Sequence, residues 1–157
     1  MNNQNLSDVN LHYIPQREDL PPWVTFEQLV LFLHENMKPY EDTREDTQRG
    51  LEYAFSNTAE KSGFVLIAEQ NQKMVGASVV LETGMGGYIP SNLLLFVAVD
   101  PLRRNQGIGG RLVKDAAMRC KGDIKIHVEY ENPAKRLYER LGFKSKYAEM
   151  RYDKETT

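Results

Sequence analysis

A single cysteine, Cys120, leaves nothing for an internal disulfide and too few thiolates for a metal cluster, which fits a reducing compartment. The three histidines, His12, His34 and His127, lie far apart without ligand spacing, so no metal is expected. No apolar run approaches the roughly 18 residues of a membrane span. The N-terminal MNNQNLSDVNLHYIP has no basic start followed by an apolar stretch, so we expect no membrane anchor and a cytoplasmic location. Repeats, low-complexity tracts and the Gly-x-Ser-x-Gly elbow of a serine hydrolase are also missing.

A hydrophobic content of 41% over 157 residues can bury one sizeable core, and a single domain over 1–157 is expected. Net charge is only −2 but unevenly spread: residues 1 to 100 hold 6 Lys+Arg against 14 Asp+Glu, and the rest hold 14 against 8. The basic half suits a polyanionic ligand. The acidic half, with Glu41, Asp42, Glu45 and Asp46, favours a cationic one, although solvated helix faces would look the same. Nucleic acid is not expected, because the basic half lacks interleaved aromatics and any recognisable nucleic-acid-binding pattern.

Alternation of Val9, Leu11 and Tyr13 before Pro15 predicts an edge strand. Thr25, with Gln28 three residues on, reads as a capping box for a helix to about residue 37, and 43–55 predicts a second. Residues 64–68 and 74–81 predict a hairpin; the Gly- and Pro-rich loop 82–91 leads into 92–99, apolar enough to suggest burial on both faces. There follow a helix at 108–120 with Cys120 on its buried side, a strand at 124–129, and a helix opened by Asn132-Pro133 and ended by Gly142. Two weak strands at 143–147 and 149–153 complete an α+β pattern, with residues 92–129 forming one parallel pair in a mixed, mostly antiparallel sheet.

Between the strand ending at Val99 and the helix after it stand Arg104, Asn105, Gln106, Gly107, Ile108, Gly109 and Gly110. Three glycines in four residues allow backbone N–H groups to approach an anion, the helix N-terminus adds its dipole, and Arg103, Arg104 and Arg111 add mobile positive charge. A glycine-rich turn without a ligand fits these letters equally well. Two rival phosphate motifs fail: the dinucleotide fingerprint needs glycine where Leu112 stands, and the P-loop lysine pattern is absent, so a Rossmann nucleotide-binding domain is disfavoured.

The segment resembles the acetyl-CoA signature V-x-P-x-x-R-x-x-G-x-G of the GCN5-related N-acetyltransferase (GNAT) family, met by Val99, Pro101, Arg104, Gly107 and Gly109. A second family segment, N-x-x-A-x-x-L-Y-x-x-L-G-F, is similar to Asn132 through Ala134, Leu137, Tyr138, Leu141, Gly142 and Phe143, with Ala134 one place closer to Asn132. The resemblance implies the GNAT fold, with helices flanking the sheet and a splayed parallel strand pair at the cofactor site. It implies that acetyl-CoA is the acyl donor. The backbone of Val97, Ala98 and Val99 would pair with the pantetheine arm, the amides of 104 to 110 would hold the pyrophosphate, and Asn132 and Tyr138 would contact the donor.

A primary amine with a pKa of roughly 10 must lose a proton before it attacks a thioester, and the departing thiolate needs one back. The resemblance gives the second role to Tyr138, which also sits on its helix's apolar stripe. Strand 92–99 carries no acid, so the base is open between Glu82, the nearest carboxylate before it, His127, Glu129 and a water chain. The acceptor, a small-molecule or peptide amine, is expected against residues 23–60 and the loop 82–91. The protein is expected to work as a monomer or homodimer. The rival function is a non-catalytic acyl-CoA-binding or regulatory module.

Overall fold

The computed structural model describes residues 8–154. Its centre is a hairpin of β2 (Ser62–Gln70) and β3 (Lys73–Glu82), two antiparallel strands whose turn uses Asn71 and Gln72 at φ of 54° and 60°. Left-handed residues at both central positions match the turn to the twist of the strands. β1 (Asn10–Ile14) pairs antiparallel with β2 at one edge, and β4 (Asn92–Val99) pairs antiparallel with β3. β5 (Ile124–Ile126) lies parallel to β4 and closes the order β1-β2-β3-β4-β5.

Both faces of the sheet are covered, which is why its central strands read as apolar runs rather than alternations. On one face α1 (Phe26–Asn36) and α2 (Arg44–Ala54) bring Leu29, Leu33 and Leu51 against Val65, Ile67, Val79 and Phe96. On the other, α3 (Ile108–Arg119) and α4 (Ala134–Arg140) bring Ile108, Leu112, Ala116 and Tyr138 against Leu66, Ala68, Val80 and Leu94. Each such burial is worth about 1.5–3 kcal/mol, so packing rather than propensity holds the helices. The capping box forms as expected: Gln28 N–H donates to Thr25 Oγ1 at 3.1 Å and Thr25 N–H donates to Gln28 Oε1 at 2.9 Å.

A bulge interrupts β4. Val79 faces Phe96 but Val80 faces Leu94, so Leu95 has no residue opposite it. The extra residue changes the strand's parity: Leu94 packs under α3 while Phe96, two residues on, packs under α1 and α2. The strand therefore changes face just where its pairing with β5 stops.

Four expectations need correction. The fifth strand ends at Ile126 rather than 129, because residues from His127 onward leave β4. The expected strands at 143–147 and 149–153 do not form; from Lys144 to Lys154 every residue is exposed, and without a ladder partner or a buried face their alternation stabilises nothing. Burial of β4 is also less complete than its composition suggests. Leu93, Leu95, Val97 and Val99 are only partly covered, and from Leu95 onward no strand continues beside β4 on the β5 edge. Cys120 is half-buried at the end of α3, where burial and nearby Glu82 push its thiol up to about 11, leaving it unreactive. Among the described residues no helix is long and apolar enough to cross a membrane.

Gly63 marks the tightest approach in the sheet: a Cβ there would run into the carbonyl of Val80 and come within 3.2 Å of Ala54 Cα. Backbone cannot move aside as a side chain can. Gly63→Ala should therefore lower unfolding free energy by about 1–3 kcal/mol. Urea denaturation checks this, and a change below about 0.5 kcal/mol would contradict it.

Candidate active site

β4 and β5 are paired only from Asn92, Leu93 and Leu94 to Ile124, Lys125 and Ile126. Beyond that point β4 runs on to Val99 while the other strand turns away, so Val97, Ala98 and Val99 border an opening between parallel chains. Backbone groups on that edge are available to an extended ligand, as in strand addition.

At the far end of β4 the chain is pinned before it turns. Asp100 N–H donates to Val75 O at 2.9 Å, and Asp100 Oδ1 accepts Leu102 N–H at 3.0 Å, capping the short 3₁₀ turn Pro101–Arg103. Asn105 and Gly107 are both left-handed, at φ of 61° and 82°. This hands the chain to α3 with no side-chain cap at its N-terminus. A helix start normally satisfies its first N–H groups with a capping side chain; here those of Ile108, Gly109 and Gly110 face outward from a glycine turn, the arrangement that binds anions.

The arginines around this turn are not mobile, contrary to the sequence expectation. Arg104 Nη2 donates to Asn36 O at 3.0 Å and Arg111 Nη1 donates to Val9 O at 3.0 Å, while Arg103 is held by Gln70 and Gln106. Main-chain carbonyls and neutral amides thus fix the charges in place.

α4 lies against the same turn. Leu137 is the nearest neighbour of both Gly109 and Gly110, with 3.4 Å from its Cδ2 to where a Cβ on Gly109 would sit. Asn132 Oδ1 accepts Ala134 N–H at 2.9 Å, the first N–H of a helix that starts at Ala134 behind Pro133. Tyr138 is 7% exposed and packs edge-on to Phe143, with ring centroids 6.0 Å apart. Burial pushes its hydroxyl up to about 12. It is a hydrogen-bond donor, neutral at every physiological pH.

The candidate bases stand apart. Glu82 faces Asn92 at the start of β4, seven residues from Val99, or about 23 Å along the strand. Its Oε2 accepts Ser62 Oγ–H at 2.8 Å, and its carbonyl accepts the hydroxyl of Tyr53 at 3.0 Å. His127 is exposed at the fork where the strands part, and Glu129 is exposed beyond it.

Across the sheet from α3, a cleft of ≈ 570 Å³ opens between α2 and the bulge, lined by Asp42, Asp46, Glu52, Tyr53, Leu95 and Phe96 together with Arg49 and Lys61. Sequence reasoning anticipated the acidic segment and the span 23–60, without singling out Tyr53 in it, and did not anticipate Leu95. A helical tyrosine and one leucine in an apolar run give no signal until the bulge turns that leucine toward the helix.

The burial of Tyr138 has a consequence independent of function. An unfolded tyrosine ionises near pH 10, and Tyr138 in the folded chain near 12. Its raised value stabilises the fold fully below about pH 10, and that contribution is lost between about 10 and 12. Tyr138→Phe should lose less stability than the parent between pH 9 and 11.5 in urea denaturation; equal losses would place the ring in solvent.

Known proteins bear on this geometry. The model of the acetyltransferase (GNAT) domain matches residues 61–145. No curated protein matches the chain significantly. Among solved structures, an aminoglycoside N-acetyltransferase in complex with CoA aligns with a TM-score of 0.66 at 13% identity, over 94% of this chain and 95% of that one. A transcriptional regulator from Bacillus halodurans C-125 aligns with a TM-score of 0.65 at 23% identity, over 92% and 99%. An aminoglycoside acetyltransferase from an uncultured soil metagenomic sample, in complex with trehalose, aligns at 0.64 and 18% identity, over 97% and 99%. Such identities speak for the fold alone. The five-stranded mixed sheet, its parallel pair at β4 and β5, and the match over residues 61–145 together establish that the chain belongs to the GNAT acetyltransferase family.

Proposed function

We propose that this protein transfers the acetyl group of acetyl-CoA to an amine, whose nitrogen attacks the thioester carbonyl directly as the thiolate of CoA leaves. The observation that carries this reading is the uncapped N-terminus of α3 at the open end of β4, with α4 against it. The residues fit the donor: amides of 104 to 110 for the pyrophosphate, and the free edge at Val97, Ala98 and Val99 for the pantetheine arm. Asn132, whose Oδ1 is already taken, would offer its amide nitrogen.

Tyr138 donates a hydrogen bond to the leaving sulfur. Full proton transfer from a hydroxyl near 12 to a thiolate of about 8.5 is uphill, so its contribution is charge stabilisation, and solvent supplies the final proton. Support for Glu82 as the base is its place beside the α2 cleft, where Tyr53 lines the wall and donates to the Glu82 carbonyl. The proton leaves the amine through water toward that carboxylate. Asp42, Asp46 and Glu52 favour a cationic acceptor, and aminoglycoside acetyltransferases among the structural neighbours are consistent with a small polyamine-like one.

The test is acceptor-dependent release of free thiol from acetyl-CoA across polyamines, aminoglycosides and lysine peptides. Turnover with at least one class is expected, whereas CoA binding without thiol release on a broad panel would favour a non-catalytic acyl-CoA-binding or regulatory module. Tyr138→Phe should lower kcat about 10–100-fold with CoA affinity kept, the worth of one hydrogen bond to a developing charge. Gly107→Val, strained at φ 82°, should weaken CoA binding at least about tenfold. Unaltered affinity in a folded variant would remove the turn from the donor site.

A further inference from the structure

β2 ends in Gln70, a polar side chain only 6% exposed, next to the turn into β3. A buried amide needs partners, and Gln70 Oε1 accepts from Arg103 Nη1. Arg103 Nε donates in turn to Gln106 Oε1 at 3.1 Å, one residue before the left-handed Gly107. The third nitrogen, Nη2, is buried and makes no hydrogen bond among the described residues.

The charge on this guanidinium is uncompensated. Both acceptors are neutral amides, and among the described residues no carboxylate forms an ion pair with it. Asp100 is occupied by Leu102 N–H. Glu69 precedes Gln70 on the strand, so its side chain leaves the opposite face, where Asn10, His12 and the Gln72 N–H take it up. Half-burying an arginine beside neutral partners alone forgoes the Coulomb attraction that a carboxylate would return.

We infer that Arg103 is a fixed counter-charge for the phosphates of the donor, and that Gln70 is its positioning residue, suited to the task because it is neutral. A glutamate there would hold the guanidinium equally well and cancel its charge. The glutamine orients the charge and leaves it for an anion arriving at the α3 N-terminus. Arg103 and the helix amides then act on one ligand from two sides of the turn. This inference rests on reading that turn as the CoA site.

Gln70→Glu in the full chain tests it, with CoA as the probe, by calorimetric affinity at several salt concentrations and by thermal denaturation. Expected are a dissociation constant raised roughly tenfold, the size of one unit-charge interaction across about 10 Å at an effective dielectric near 20, a shallower salt dependence, and a melting temperature no lower than the parent's. A merely structural glutamine would give a lower melting temperature with the salt dependence unchanged. Arg103→Gln should reproduce the weaker binding and the shallower salt dependence, and it carries the test if Gln70→Glu does not fold. Parent-like affinity and salt dependence in a folded variant overturn the inference alone. Absence of CoA binding by the parent protein overturns the donor-site reading and this inference with it.

Discussion

The pairing of β4 with β5 lasts three residues, and the rest of the site depends on its ending there. A parallel pair normally continues until one strand runs out, because every further residue adds a hydrogen bond. Here the bulge at Leu95 twists β4 as its neighbour departs, and the backbone beyond is left without a strand on that edge. Unpaired backbone in a half-buried setting is unfavourable unless a ligand or water satisfies it, so the opening can take up an extended polar chain. The same bulge turns Leu95 toward α2, so one inserted residue shapes an opening on the edge of the sheet and a cleft on its face.

Electrostatics divides the two openings. The cradle end gathers donors: helix amides without a cap, and a guanidinium held by neutral partners. The α2 cleft gathers Asp42, Asp46 and Glu52, tempered by Arg49 and Lys61. A polyanion and a cation would thus approach from different directions, each toward its own charge. Tyr138 sits in the core beneath α3, where low polarity keeps its hydroxyl protonated and makes it a donor rather than a base.

Much of this was legible in the chain because it follows from local rules. Thr25 and Gln28 cap α1 whatever packs on it, and the apolar run 92–99 followed by a glycine turn announces a buried strand leading into a helix start. What failed depends on partners that no local pattern reports. Residues 143–153 alternate as strands do, but the short β5 gives them no ladder. Arg103, Arg104 and Arg111 looked like mobile charge, yet each is fixed by a residue between 33 and 102 positions away. Gln70 carries no motif, and only its contact with Arg103, 33 residues further on, reveals it. The base is the least legible feature, since β4 lacks the acid that would have pointed to one.

The central claim is that the open half of β4 and the uncapped start of α3 together hold an acyl-CoA. Backbone amide NMR of the labelled protein titrated with CoA addresses it directly. The account predicts the largest shifts at Val97, Ala98 and Val99 and at Ile108, Gly109 and Gly110, saturating together as one binding event. Shifts absent from both segments at saturating CoA, or confined to a surface elsewhere, would contradict it.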